Sequence, residues 1–95
     1  MKARRLPRAG AKDIGDVALI LKALTIVIEA KNVKKQDMSE WLRQADVESC
    51  NYELKYGVPT IPVVATKTRQ KGIGEARVTM NLDTLLELIR MLGES

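Results

Sequence analysis

The sequence predicts an α/β domain, a small mixed β-sheet flanked by helices in the order (β)ββαββα. Three observations predict it. Two apolar runs, 17–21 and 24–28, are joined by only Lys22 and Ala23, as in an antiparallel hairpin. After Asp37 the apolar residues switch to the 3/4 spacing of a helix. A third β-branched run, 58–66, follows that helix, and a leucine-rich amphipathic segment closes the chain. Ninety-five residues make one domain with a single modest core.

In order, residues 1–11 hold four basic side chains, a proline and no acid. They read as a basic extended arm or a short edge strand over 4–6, with Pro7 limiting pairing. Residues 12–15 form a turn, 16–21 a strand, 22–23 a tight connection and 24–31 the next strand. Ile26, Ile28 and Ala30 then share the face expected to pack on a core, and Glu29 and Lys31 share the other. Residues 32–36 are a polar, basic loop.

Asp37 is a good N-cap with Glu40 three residues on, a capping-box pattern. Met38, Trp41, Leu42, Ala45 and Ser49 line one face of the helix, expected to reach about residue 54 and stop before Gly57. Trp41 belongs to that apolar stripe and is read as core. In the strand 58–66, Pro59 and Pro62 must lie at its entrance or on an edge. A glycine-flanked basic loop, 67–74, leads to a short strand over 76–80. Asn81 or Asp83 then caps a last helix whose buried stripe is expected to be Leu82, Leu85, Leu86, Ile89 and Leu92.

Composition narrows the chemistry. No apolar run is long enough to span a membrane, so no membrane partner is expected, and no signal peptide is visible. Cys50 is the single cysteine and has no internal partner, which fits a reducing, cytoplasmic setting. With one cysteine and no histidine, a structural zinc site is excluded; any metal must be a hard cation held by carboxylates. Residues 1–35 carry nine Lys/Arg against three acids, and 36–95 carry seven against nine. The basic half is the half with Asp16, Glu29 and Lys31, which suits a polyanionic substrate. An acid entering one strand and Glu-x-Lys ending the next suit a divalent metal with a lysine beside it.

Gly15-Asp16, then Glu29-Ala30-Lys31 at a strand end followed by a helix and a strand, resembles the PD-(D/E)xK nuclease superfamily. Gly15 stands where proline is usual. The runs RAGAKDIGDV, VIEAKNVKKQDMSEWLRQADVE, VVATKTRQKG and VTM are similar to small phage-encoded Holliday junction resolvase-like nucleases, over roughly residues 8–80. The resemblance implies a restriction-endonuclease-like core and a single nuclease domain over 1–95. Asp16, Glu29 and the carbonyl of Ala30 would ligate Mg²⁺, with Mn²⁺ able to substitute. Lys31 would orient or deprotonate the attacking water or stabilise charge on the phosphate, and Gln44 would point into the site. The products would be a 5′-phosphate and a 3′-hydroxyl.

Many resolvase-like members carry an earlier helix with a further glutamate, which this chain lacks. Either the chain is a shortened version, or Asp13 or a partner subunit fills the gap. The missing helix favours a homodimer. The implied partner is branched DNA, gripped by Arg4, Arg5, Arg8, Lys34, Lys35, Lys67, Arg69 and Lys71, in recombination, repair or packaging in a host cytoplasm. The alternatives are an inactive DNA-binding or assembly module of the same fold, or a restriction- or repair-type nuclease.

Overall fold

A computed structural model of the chain describes residues 1–6, 15–31, 37–67 and 72–93. The elements are β1 (Lys2–Arg5), β2 (Val17–Ile20), β3 (Thr25–Lys31), α1 (Met38–Tyr56), β4 (Thr60–Thr66), a 3₁₀ turn (Ile73–Glu75), β5 (Arg77–Thr79) and α2 (Leu82–Gly93). This is the expected α/β order. The five strands form one sheet in the order β1-β2-β3-β4-β5, antiparallel throughout except for the parallel pair β3–β4. A parallel pair needs a long crossover, and α1 supplies it.

Strand alternation assigns each helix to its own face of the sheet. Trp41 and Ala45 of α1 pack on Val64, while Leu88 and Met91 of α2 pack in the cluster of Leu24, Ile61 and Val63. Residues 61, 63 and 64 belong to one strand, so the two clusters lie on opposite faces. A third cluster, Leu6, Ala18, Val27 and Tyr52, continues the α1 face.

The α1 boundaries follow from its caps. Asp37 Oδ1 accepts from the Glu40 amide at 3.3 Å, which satisfies one of the orphan donors of the first turn. The helix runs to Tyr56, two residues beyond expectation, and ends at Gly57 in the left-handed region (φ 68°), whose amide donates to the Glu53 carbonyl. Ser49 Oγ donates to Thr60 Oγ1 at 2.7 Å, tying the helix to the start of β4.

Pro59 lies at the entrance to β4, where its carbonyl accepts from the Thr25 amide. Pro62 lies inside the strand. The Thr60 amide donates to Glu53 Oε1, away from β3, so the nitrogen two residues on also faces away from β3. There β4 is an edge, because β5 reaches only Val64 to Thr66. A proline costs no ladder bond at that position.

Ile26 and Ile28 pack on the core cluster under α2, as expected, but Ala30 is exposed. Val27 and Glu29, on the face that α1 covers, are the more deeply buried. On α2, the stripe Leu82, Leu85, Leu86, Ile89 and Leu92 is exposed, and no residue of that helix is fully buried. The helix turns Leu88 and Met91 to the sheet instead. Leu88 and Met91 extend its apolar arc beyond the width that one sheet contact covers. The strands also start or stop within two residues of expectation; β1 spans Lys2–Arg5 rather than 4–6.

Candidate metal and phosphate site

The site forms where β2 and β3 meet at the carboxyl end of β3. Gly15 precedes Asp16 with φ 96°, and a Cβ on it would sit 2.6 Å from Val27 Cγ1. Glycine is therefore required twice, for the left-handed backbone and for the close approach to β3. That turn sets Asp16 opposite Glu29: the Asp16 amide donates to the Ile28 carbonyl, and the Asp16 carbonyl accepts from Leu6. Asp16 Oδ2 accepts from the Ala30 amide at 2.9 Å. The aspartate side chain thus crosses to the backbone between Glu29 and Lys31.

On β3 the alternation holds. Glu29 and Lys31 share the α1 face, with Lys31 Nζ 3.3 Å from Glu29 Oε1. The lysine also donates to Gln44 Oε1 of α1 at 3.0 Å. A long flexible side chain is therefore fixed at two points while remaining partly exposed. Glu29 is buried at 6% exposure, and its Oε2 has no hydrogen-bond partner among the described residues. A buried carboxylate oxygen left without a donor is costly. A hard cation would satisfy it.

Asp16, Glu29, Lys31, Gln44 and the Ala30 backbone are thus brought together. Two carboxylates with a carbonyl are a sufficient protein contribution for Mg²⁺, which retains several waters and takes substrate phosphate oxygens. Among the described residues no group of three His, Cys, Asp or Glu side chains is placed to hold a metal. A metal at this place would have a sparse donor set and would need backbone, water and substrate to complete it.

The basic residues divide. Arg5 pairs with Val17 beside Asp16, and Lys67 follows Thr66, the partner of Lys31; both are exposed at the site end of the sheet. Arg4 lies instead 5.3 Å from the Tyr56 ring centroid, about 18 Å along α1 from Gln44 at 1.5 Å per residue. Arg8, Asp13, Lys34, Lys35, Arg69 and Lys71 lie outside the described residues. Cys50 is exposed on α1, and Trp41 is buried in the core.

Sequence reasoning missed Glu48. It is 1% exposed on the sheet-facing stripe of α1, one turn beyond Gln44, and its Oε2 comes within 3.7 Å of a Cβ placed on Gly15. Its only sequence signal is its spacing, seven residues after Trp41 and three after Ala45. No family model matches the chain, and no curated protein or solved structure matches it significantly.

Proposed function

We propose that this chain is a metal-dependent DNA endonuclease of the PD-(D/E)xK type, acting as a homodimer on branched or otherwise structured DNA. The observation that carries the reading is the joined set Asp16, Glu29, Lys31 and Gln44 at the carboxyl end of β3, with a buried Glu29 oxygen that has no donor among the described residues. Ligand sites in open α/β sheets favour that end of the strands.

Asp16, Glu29 and the Ala30 carbonyl would hold Mg²⁺, which would polarise the phosphate and acidify bound water. Lys31 is positioned by Glu29 and Gln44 to orient the attacking water or to stabilise negative charge on phosphate oxygens. Water attacks phosphorus, the P–O3′ bond breaks, and the 3′ oxygen gains a proton. A 3′-hydroxyl and a 5′-phosphate remain. Arg5 and Lys67 flank this end of the sheet and supply non-specific backbone grip.

A second reading has its own observation. Lys31 is already occupied by two partners, and the acidic set is sparse. Both suit a DNA-binding or assembly module that no longer cuts. Calorimetric titration with Mg²⁺ and Mn²⁺ separates them. The nuclease reading expects one ion site, lost in Glu29→Ala with the fold intact. Salt-sensitive DNA binding with no ion bound by the wild type would move the function to the inactive module.

A further inference from the structure

The exposed side of α2 is apolar along its length. Leu82, Leu85, Leu86, Ile89 and Leu92 are between 39% and 69% exposed, and Val78 of β5 is 61% exposed. Val78 pairs with Ala65, which puts it on the same sheet face as α2. Among the described residues, the other exposed large hydrophobics are Val47, Leu54 and Tyr56 on α1, and Met1.

The spacing of the stripe is specific. Leu82, Leu85, Ile89 and Leu92 step by three, four and three residues, the a/d pattern of a helix–helix seam, with Leu86 alongside. A lipid surface would call for Lys and Arg on the polar side of such a helix, and DNA would call for cations. The charged residues of α2 are Asp83, Glu87 and Arg90, and Glu87 is already paired with Arg90. The patch therefore fits protein.

Its size fits a second copy. The fractional exposures correspond to on the order of 600 Å² of apolar surface, the upper end of what a monomer carries. Doubled across a two-fold axis, this reaches about 1,200 Å², the lower bound of a specific stable interface. One apolar stripe facing itself is the self-complementary pattern that a two-fold axis requires.

We propose that a second copy of this chain covers the stripe, its own α2 packing against this one in an isologous seam. The seam lies on the sheet face opposite Glu29 and Lys31, so pairing leaves the candidate site uncovered. The inference supplies the pairing surface for the homodimer in the nuclease reading. Its test reads mass rather than cleavage, so either can fail alone.

The test is light scattering and sedimentation equilibrium on the full chain over a wide concentration range, for wild type, Ile89→Glu, Leu86→Glu and Leu54→Glu. The seam predicts a wild-type mass of twice 10.6 kDa. It predicts folded monomers for Ile89→Glu and Leu86→Glu, with unchanged far-ultraviolet circular dichroism. Leu54→Glu, on α1, stays dimeric. Should a glutamate variant unfold, Ile89→Gln tests the same seam and should weaken the dimer by at least about tenfold in Kd. A wild-type monomer at every concentration, or folded glutamate or glutamine variants that pair as tightly as wild type, would overturn the seam.

Discussion

Lys31 Nζ donates to Gln44 Oε1 at 3.0 Å, and this contact joins the end of β3 to the helix that covers it. With Glu29 on its other side, the ammonium is held by one charged and one neutral partner. Removing Gln44 leaves Lys31 paired to Glu29 but free to swing. We expect Gln44→Ala to lower DNA cleavage about tenfold to a hundredfold by misplacing Lys31, with little change in DNA affinity. Lys31→Ala should cost more than Gln44→Ala. Single-turnover cleavage beside binding assays checks the pair.

Gly15 tests the scaffold beneath that contact. Gly15→Ala puts a methyl 2.6 Å from Val27 Cγ1 in a left-handed backbone, so it should destabilise the fold by about 1–3 kcal/mol. Urea denaturation would show a lower midpoint with an unchanged slope. Unaltered stability would mean that the turn rearranges.

Trp41 anchors α1 on Val64 with Ala45. Trp41→Ala should cost about 3–5 kcal/mol, a large share of the stability of a domain this small. Thermal and urea unfolding measure it.

Acid affects the surface of α1 in a known direction. The side-chain hydrogen bond from Arg43 holds the Glu40 carboxyl below its usual value. A depressed folded value means that the stabilisation is present above the unfolded value and lost as pH falls through the lowered folded one. NMR titration should show Glu40 ionising at lower pH than an unpaired glutamate, and Arg43→Ala should return it to the ordinary range.

The order of elements was legible because each has a local cause. Lys22-Ala23 between two apolar runs dictates a hairpin, Asp37 starts α1, and Gly57 stops it. The pairing of Glu29 with Lys31 followed from period-two alternation alone. Which face of β3 is the deeper was not legible, since Val27 and Ile28 are equally apolar and only α1's docking decides between them. The α2 stripe failed for a related reason. Periodicity marks residues that need cover, but Leu88 and Met91 compete for the same sheet, and the pattern does not say which set wins. Glu48 escaped because a carboxylate on a buried stripe breaks the rule by which stripes are found. Gln44, by contrast, came from the resemblance rather than from helical spacing.

The most direct test is cleavage of a labelled four-way junction beside a matching linear duplex, in Mg²⁺, Mn²⁺ or EDTA, by wild type and Glu29→Ala. We expect metal-dependent, symmetric nicks at the junction, abolished by EDTA and lowered at least about a hundredfold in the variant. Binding without cutting in either metal, or cutting that survives Glu29→Ala, would contradict it.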